Sequence, residues 1–353
     1  MQIKKLRIHG VRNLIEISIT PNNKINIFTG RNASGKTSFL EAIHILARSK
    51  SFRTPRIKDV INSKEKQLSV AAEIKHERLT TLNLKVKKGD KKNTLSLNGN
   101  NLKTVSELAT ILPIININQD TQLLITGTPK QRRHWLDWAM FHVEPSYLLS
   151  WKQYFKALRH RNILLQKGET KEELYRAWEA EMIKLSIRIT AQRKAFIGSI
   201  SSHFNQFFGE QDGNKKSIVY KQGWKEDMQY DEYLCKRRGE DQQKGYTKYG
   251  AHQADVVFTE EGEYIKKIYS RGQIKLHINQ VLMSQAKVIE EKGRVQPIIL
   301  MDDYTAELDK NNSEYLLSWL KNQEFQAFIT TTEAQKNDEN TTVFHVEQGK
   351  IVN

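Results

Sequence analysis

Cysteine is almost absent from this sequence of 353 residues, in which Cys235 is the single example. One thiol excludes an intrachain disulfide and a cysteine-based metal cluster. Such a composition is typical of proteins from reducing compartments, so we expect a cytoplasmic protein.

Long apolar runs are missing as well. The most apolar stretches, at residues 111–117 and 297–301, fall well short of the roughly 20 residues that a membrane span needs. Residues 1–10 alternate apolar and polar side chains, as a strand does, and lack the unbroken apolar segment of a signal peptide. Internal repeats are also absent, which disfavours a solenoid or a propeller. We therefore predict no membrane span and no membrane partner.

Acidic residues are too few to balance the basic ones. Lys and Arg number 56 against 40 Asp and Glu, which gives a formal net charge of +16. Because each neutralised phosphate releases condensed counterions, this excess favours a polyanionic partner such as DNA. The alternative is a set of basic side chains that merely cover solvated faces. The charge therefore indicates nucleic acid without establishing it.

The hydrophobic pattern divides the chain into three parts. Residues 1–130 have strand periodicity, residues 131–210 have long helical patterns, and residues 211–353 return to mixed strands and helices. Residues 211–249 are polar and suggest loops and irregular strands, with an uncertain assignment. The pattern predicts an α/β fold with an inserted or appended helical lobe.

Shorter patterns predict individual elements. The pair Asn98-Gly99 lies between polar-apolar stretches and suggests a tight hairpin. The other predicted elements are helices at 38–48, 274–291 and 313–320 and strands at 297–301 and 327–331.

Residues 30–37 match the phosphate-binding loop G-x-x-x-x-G-K-[ST], between an apolar strand and a helical pattern. In that setting the loop N–H groups and the helix dipole face phosphate oxygens. Lys36 is expected to reach the β and γ phosphates of ATP, and Thr37 to hold Mg²⁺. The residues predicted to contact ATP are Gly30, Arg31, Asn32, Ala33, Ser34, Gly35, Lys36, Thr37 and Ser38.

An apolar strand at residues 297–301 ends in two acids, Asp302 and Asp303. Such a pair can bind a metal and orient water. Asp302 is predicted to hold Mg²⁺, and Asp303 to orient or deprotonate the attacking water. With Lys36, these two acids are the predicted catalytic residues. The alternative, a helix cap or solvated turn, becomes less favoured beside the phosphate loop.

Residues 269–273, Tyr-Ser-Arg-Gly-Gln, precede a helical pattern and resemble the signature motif of ABC-type and SMC-type ATPases. In those families the signature of one subunit caps the γ-phosphate that its partner holds. The resemblance therefore implies an ATP-dependent homodimer in which Ser270, Gly272 and Gln273 contact ATP. A simple helix-capping turn is the alternative.

Further blocks narrow the resemblance to the RecF family, and they extend over nearly the whole chain. They are Arg12-Asn13, residues 51–54, residues 131–137, Arg161-Asn162, Thr247, residues 250–255 and a switch strand at 329–333. Residues 306–309 resemble the D-loop of ABC-type heads. The resemblance implies an ABC-type P-loop ATPase head. Departures include Ala33, where a glycine is usual, and Arg271, where glutamine is frequent.

The same resemblance implies a function. Proteins of this family bind DNA and load a recombinase at single-strand gaps, together with RecO-like and RecR-like partners. It implies a weak, DNA-stimulated ATPase that serves as a conformational switch. Two alternatives are an ABC-type nucleotide-binding subunit that drives a membrane partner and a small-molecule kinase. The basic charge and the helical insert disfavour the first, and the signature motif disfavours the second.

For other residues the sequence leaves two roles open. Either Gln119 or Gln122 can serve as the Q-loop residue. We expect His252 to be a packed histidine, and Trp135 and Trp138 to pack in a core instead of stacking on bases. The basic residues predicted to contact DNA phosphates, or else to cover solvated helix faces, are Lys130, Arg132, Arg133, Arg159, Arg161, Lys184, Arg188, Arg193 and Lys194.

Overall fold

The structure is a computed structural model that describes residues 1–75, 80–89, 93–108, 111–208, 215–304 and 310–352. The strands of these residues are β1 (Gln2–Val11), β2 (Leu14–Ile19), β3 (Ile25–Thr29), β4 (Gln67–Lys75), β5 (Thr81–Gly89), β6 (Thr94–Leu97), β7 (Asn100–Asn101), β8 (Ile114–Ile117), β9 (Lys216–Lys221), β10 (Asp255–Glu260), β11 (Glu263–Tyr264), β12 (Ile298–Met301), β13 (Ala327–Thr331), β14 (Thr341–Glu347) and β15 (Lys350–Val352). The helices are α1 (Lys36–Arg48), α2 (Val105–Leu108), α3 (Leu123–Thr126), α4 (Pro129–Val143), α5 (Tyr147–Gln166), α6 (Glu172–Phe208), α7 (Tyr230–Lys236), α8 (Arg238–Lys244), α9 (Ile265–Ile268), α10 (Arg271–Gly293) and α11 (Lys310–Lys321). None of these helices is long and apolar enough to cross a bilayer.

The chain folds into two compact units. Unit 1 comprises residues 1–121, 275–282 and 289–353, and unit 2 comprises residues 122–274 and 283–288. The residues of α10 therefore divide between the two units.

The boundary of unit 2 differs from that of the predicted helical lobe, residues 131–210. Unit 2 also contains a sheet in which β10 pairs antiparallel with both β9 and β11. The pairing of β10 with β9 joins residues that are distant in the sequence, and hydrophobic periodicity cannot detect it. The three-part division of the chain by function stays a prediction.

The central sheet of unit 1 has the strand order β15-β14-β3-β13-β12-β8, and all its neighbouring strands except β15 pair in parallel. Every residue of β3, β12 and β13 is buried. Strands covered on both faces have continuous apolar sequences, which is why these segments were readily predicted. The carboxyl ends of parallel strands meet at one edge, so the segments that follow β3, β12 and β13 lie side by side.

The second sheet of unit 1 is antiparallel, with the order β2-β1-β4-β5-β6-β7. The predicted hairpin is confirmed, because Leu97 pairs with Asn100 across Asn98 and Gly99, both at positive φ. One apolar core includes residues of both sheets and of α1, and Phe28 stacks on Phe39 of that helix at 4.5 Å. This packing fixes α1 against the central sheet, directly after β3.

The polar segment 211–249 is more regular than predicted. After residues 209–214, which lie outside the described part of the chain, it forms β9, α7 and α8. The prediction of loops was wrong for α7 and α8, which have seven residues each. Helices this short have little stability of their own. They are held by buried side chains such as Tyr230, Tyr233 and Leu234 and by ion pairs of Arg238 with Glu172 and Glu179.

Three arginines predicted to contact DNA are buried in unit 2 and paired with acids. Arg161 lies 2.9 Å from Glu179 and 2.8 Å from Asp241. The nitrogen-to-oxygen distance is 2.6 Å between Arg193 and Asp137 and 2.7 Å between Arg132 and Asp255. A charge in a protein interior requires such partners. For these three residues the prediction of a phosphate contact was wrong.

The remaining basic residues of that set differ in exposure. Arg133 is half-buried and donates to the carbonyl oxygen of Ala254 at 2.7 Å. The exposed members, which stay predicted DNA contacts, are Lys130, Arg159, Lys184, Arg188 and Lys194.

The predicted packing roles of the tryptophans and of His252 are confirmed. Trp138 is buried, and the indole of Trp135 donates to Gln285 Oε1 at 2.6 Å. His252 lies between the hydroxyl of Tyr154, at 2.7 Å, and the carbonyl oxygen of Thr247, at 3.0 Å. These side chains hold unit 2 together.

Candidate nucleotide-binding site

The phosphate loop follows β3 and leads into α1, as its sequence predicted. Gly30 has φ 146°, and a Cβ there would lie 2.3 Å from the carbonyl oxygen of Val346. Gly35 has φ 115°, and a Cβ there would lie 2.7 Å from Asn13 Nδ2. Only glycine fits either position, because both the backbone conformation and the available space exclude a side chain.

Lys36 is buried beneath this loop. Its Nζ donates to the carbonyl oxygens of Gly30, at 2.7 Å, and Arg31, at 2.9 Å. Burial lowers the pKa of Lys36, whereas the nearby carboxylates of Asp303 and Asp302 raise it. The ammonium group therefore lies inside the loop, next to the acids that follow β12.

Asp302 connects the acidic pair to the phosphate loop. Its Oδ1 accepts hydrogen bonds from Thr37 Oγ1, at 2.9 Å, and from Thr330 Oγ1, at 2.7 Å. The backbone N–H of Asp303 donates to the same Thr330 hydroxyl at 2.7 Å. Sequence reasoning had not identified Thr330, although its place in the predicted switch strand was a usable signal. A hydroxyl and a carboxylate side by side fit the oxygen ligands that Mg²⁺ prefers.

Two further residues, Asn13 and Gly349, form hydrogen bonds with the phosphate loop. The amide of Asn13 donates to the carbonyl oxygen of Ser34 at 3.0 Å, and the backbone N–H of Gly349 donates to the same oxygen at 2.7 Å. Asn13 also accepts from Ser38 Oγ at 3.3 Å. Asn13 belonged to one of the sequence blocks, but nothing in the sequence indicated Gly349, because it approaches the loop only through the pairing of β14 with β3.

Glu41 of α1 contacts residues from two other sequence blocks, Arg12-Asn13 and residues 51–54. It is fully buried and accepts two bonds of 3.0 Å from the guanidinium of Arg12 and one of 2.5 Å from the hydroxyl of Ser51. Arg53 lies 3.8 Å from the same carboxylate. Arg12 and Arg53 also line a cavity of about 390 Å³ with the phosphate loop, Asp303 and the threonines of the switch strand. The cavity is therefore bordered by cations, as a polyphosphate requires.

The signature segment lies in unit 2 at the start of α10. The backbone N–H of Ser270 donates to Gln273 Oε1 at 2.8 Å, and that of Gln273 donates to Ser270 Oγ at 3.3 Å. These reciprocal bonds form a capping box. Ser270 and Gln273 are exposed, and Gly272 is half-buried.

The predicted D-loop and the two candidates for the Q-loop residue lie in different parts of the chain. The predicted D-loop at residues 306–309 lies outside the described residues. Gln119 follows the carboxyl end of β8, where the carbonyl oxygen of Ile117 accepts from Asp302 N at 2.8 Å. Gln122 belongs to unit 2. This placement favours Gln119 as the Q-loop residue, since it lies on the edge that carries the acidic pair.

Comparison with known proteins decides the family. A sequence model described as the RecF/RecN/SMC N terminal domain matches residues 2–352. The DNA replication and repair protein RecF of Pseudomonas putida (strain W619) is 34% identical over 363 residues, which cover 99% of this chain and 98% of that protein. This chain belongs to the RecF family. The RecF protein of Pseudomonas aeruginosa (strain LESB58) is also 34% identical, over 359 residues that cover 99% of this chain and 97% of that protein.

Solved structures share the fold of this RecF-family chain. The recombination mediator protein RecF-ATP of the RecFOR pathway matches with a TM-score of 0.88 at 24% identity, covering 99% of this chain and 97% of the other. An Smc head bound to the C-winged helix domain of ScpA matches with a TM-score of 0.57 at 17% identity, covering 100% and 97%. The predicted ABC-type ATPase head fold is thereby confirmed. The predicted family is confirmed too, and with it a role in DNA replication and repair.

Proposed function

We propose that this chain is an ATP-dependent DNA-binding repair protein that dimerises on ATP and helps to load a recombinase at single-strand gaps. The observation that carries the proposal is the contact of Thr37 with Asp302, which joins the phosphate loop to the acidic pair. Its curated relatives are named for DNA replication and repair, and one structural neighbour is a RecF-ATP complex.

Nucleotide binding is supported by the state of Lys36. Its two hydrogen-bond partners in the loop are neutral carbonyl oxygens, so its charge lacks a directly bonded anion there. A β or γ phosphate would supply that anion, and the loop N–H groups and the start of α1 would add further donors. ATP fits this cavity better than a nucleoside or a sugar does, since its lining is cationic and polar.

Thr37 and Asp302 would hold Mg²⁺, with phosphate and water as the other ligands, and Mg²⁺ would neutralise charge on the β and γ phosphates. Asp303 would orient the attacking water and accept its proton. Its backbone N–H is tied to Thr330, and its own φ is 51°. This arrangement supports ATP hydrolysis. We propose that the hydrolysis is weak and DNA-stimulated, and that it returns the protein to the open state after ATP has closed it.

The signature segment supports closure between two copies. In one copy alone, Ser270 and Gln273 bond to each other's backbone at the start of α10. Both are exposed and can turn from these mutual bonds to a γ-phosphate held by a second copy. The first N–H groups of a 23-residue helix would then face that phosphate. Each ATP site would thus need Lys36 of one copy and Ser270 of its partner.

The DNA part of the proposal is supported by the net charge of +16 and by the exposed lysines. Affinity for DNA should fall steeply as salt rises. RecO-like and RecR-like proteins are the proposed partners, since structural neighbours come from the RecFOR pathway.

Sedimentation velocity with Mg²⁺ and a non-hydrolysable ATP analogue, with and without duplex DNA, tests the central claim. We expect the wild-type chain to become a dimer with the analogue. Lys36→Met should lose both analogue binding and the dimer, whereas Ser270→Ala should bind the analogue as a monomer. A wild-type chain that binds the analogue and stays monomeric with DNA present would falsify the proposal. A dimer of unchanged stability in Ser270→Ala would overturn the shared site alone.

A further inference from the structure

Three lysines surround one tyrosine in unit 2. The Nζ atoms of Lys221, Lys266 and Lys267 lie 5.2, 5.7 and 5.7 Å from the centroid of the Tyr264 ring. Lys221 comes from β9, Tyr264 from β11 and the other two lysines from α9. The Lys221 ammonium also donates to the Tyr264 hydroxyl at 2.7 Å. We call these four residues the Tyr264 lysine cluster.

The three ammonium groups have no carboxylate partner among the residues that the structure describes. Two acids of β10 are otherwise engaged: Asp255, opposite Lys221 in the pairing of β9 with β10, holds Arg132, and Glu260 accepts from the hydroxyl of Tyr269 at 2.8 Å. The hydrogen bond from Lys221, followed by the charges of the lysines, lowers the pKa of the Tyr264 phenol. Like charges held around one ring repel each other, and a bound anion would relieve that repulsion.

From this geometry we infer that the Tyr264 lysine cluster binds the phosphodiester backbone of DNA. The inference rests on the proposed function and adds the surface where DNA is held. Side chains of Lys221, Lys266 and Lys267 are exposed, and together with Tyr264 they line a cavity of about 260 Å³.

The chemistry of the cluster favours DNA over an acidic protein segment. Lysine ammonium groups on flexible stems act as point charges, whereas planar recognition of carboxylates is the typical task of arginine. Among the described residues that line this cavity, the arginine is Arg132, and it is already bound by two hydrogen bonds to Asp255. Duplex DNA carries about one charge per 1.7 Å of its axis, so several closely spaced ammonium groups can each meet a phosphate. Contacts of this kind fix position without reading sequence.

The test compares two triple variants of the full chain in DNA binding over a range of salt concentrations. In K221Q/K266Q/K267Q we expect an affinity loss on the order of 50-fold at low salt and a salt slope reduced by about 2 to 3. The control, K75Q/K85Q/K350Q, removes the same charge from exposed positions of unit 1 and should lose less than about 5-fold. Equal losses in the two variants would overturn the inference, because net charge alone would then explain binding.

Three further measurements separate the remaining explanations. Tyr264→Phe keeps all three charges and should bind DNA within about twofold of wild type. If Tyr264→Phe lost as much DNA affinity as the lysine variant, the cluster would have a structural role only, and the inference would be overturned. Analogue-dependent dimerisation should persist in the lysine variant, and its loss would assign the cluster to the contact between copies. If an acidic peptide bound the cluster and DNA did not displace that peptide, the inference would also be refuted. If the wild-type chain itself failed to bind DNA, the proposed function would fail instead.

Discussion

Ala33 has φ 64° in the phosphate loop, a conformation that a side chain with a Cβ disfavours. Glycine adopts it freely, although its unfolded state has more entropy to lose. We expect Ala33→Gly to raise the free energy of unfolding by about 0.5 to 1 kcal/mol. Denaturant unfolding of the chain without nucleotide measures the change.

The matched control for Ala33→Gly is Gly35→Ala, two positions along the same loop. There a Cβ meets the Asn13 amide at 2.7 Å and φ is 115°, so stability should fall by more than 1 kcal/mol, as a rough estimate. A stability loss in Ala33→Gly would contradict the view that the loop is strained at Ala33.

Thr330 provides one hydroxyl to both members of the acidic pair. It donates to Asp302 and accepts from the backbone of Asp303, and it is 2% exposed. Thr330→Val preserves shape and removes both bonds, so Asp303 should lose the position that we propose it needs for water activation. We expect ATP hydrolysis to fall about 10-fold or more, with ATP affinity changed only a few-fold. Single-turnover hydrolysis and equilibrium binding separate the two effects.

The conservative variant Thr330→Ser restores the hydroxyl at the same place. It should recover most of the hydrolysis rate and would confirm that the bonds matter more than the packing of the methyl group. If Thr330→Val hydrolysed ATP at the wild-type rate, Thr330 would have no positioning role.

At the scale of elements, unit 2 depends on polar side chains that join distant helices and loops. His252 belongs to the short helical turn Ala251–Gln253, and its Nδ1 forms a hydrogen bond with the hydroxyl of Tyr154 on α5. Burial lowers the pKa of His252 from 6.5 to about 4, against a smaller opposing effect of its bond to Thr247. The folded chain therefore keeps this imidazole neutral where the unfolded chain would protonate it.

Because of this difference in protonation, the free energy of unfolding depends on pH, and the direction of the change can be predicted. Between pH 6.5 and pH 4 the unfolded state binds more protons at His252, so stability must fall as pH falls through that window. From pH 7.5 to pH 5, His252 should account for a loss of about 2 kcal/mol. His252→Gln should remove that share from the loss seen in denaturant unfolding at the two pH values. An identical loss in wild type and variant would show that His252 does not titrate in this way.

At this scale the sequence predicts a feature when the residues that form it are close together in the chain. The phosphate loop, Asp302 and Asp303 could be predicted as site residues because each is encoded in a continuous segment next to a buried parallel strand. Arg161 and Arg193 were misjudged because their acid partners, such as Asp241 and Asp137, lie 80 and 56 residues away. The support of the loop by Gly349 was likewise invisible, since it arises from strand pairing and not from sequence adjacency.

For the whole molecule, the central question is whether each ATP site draws on two copies. Lys36→Met removes the ammonium group from the phosphate loop of its own chain but leaves its Ser270 available, and Ser270→Ala does the reverse. A mixed dimer of the two variants would contain one site with Lys36 and Ser270 both intact and one site with neither. We therefore expect the mixture to hydrolyse ATP, and to dimerise with ATP, well above the average of the separate variants.

Titrating one variant into the other at constant total protein tests this complementation. Activity should rise to a maximum near equal amounts, where mixed dimers are most frequent, at up to about one quarter of the wild-type value if chains mix at random and sites act independently. A double variant, Lys36→Met with Ser270→Ala, is the control: mixed with Lys36→Met it builds no intact site and should give no maximum. A flat titration of the two single variants, with both folded and Ser270→Ala binding ATP, would show that each site is built within one chain.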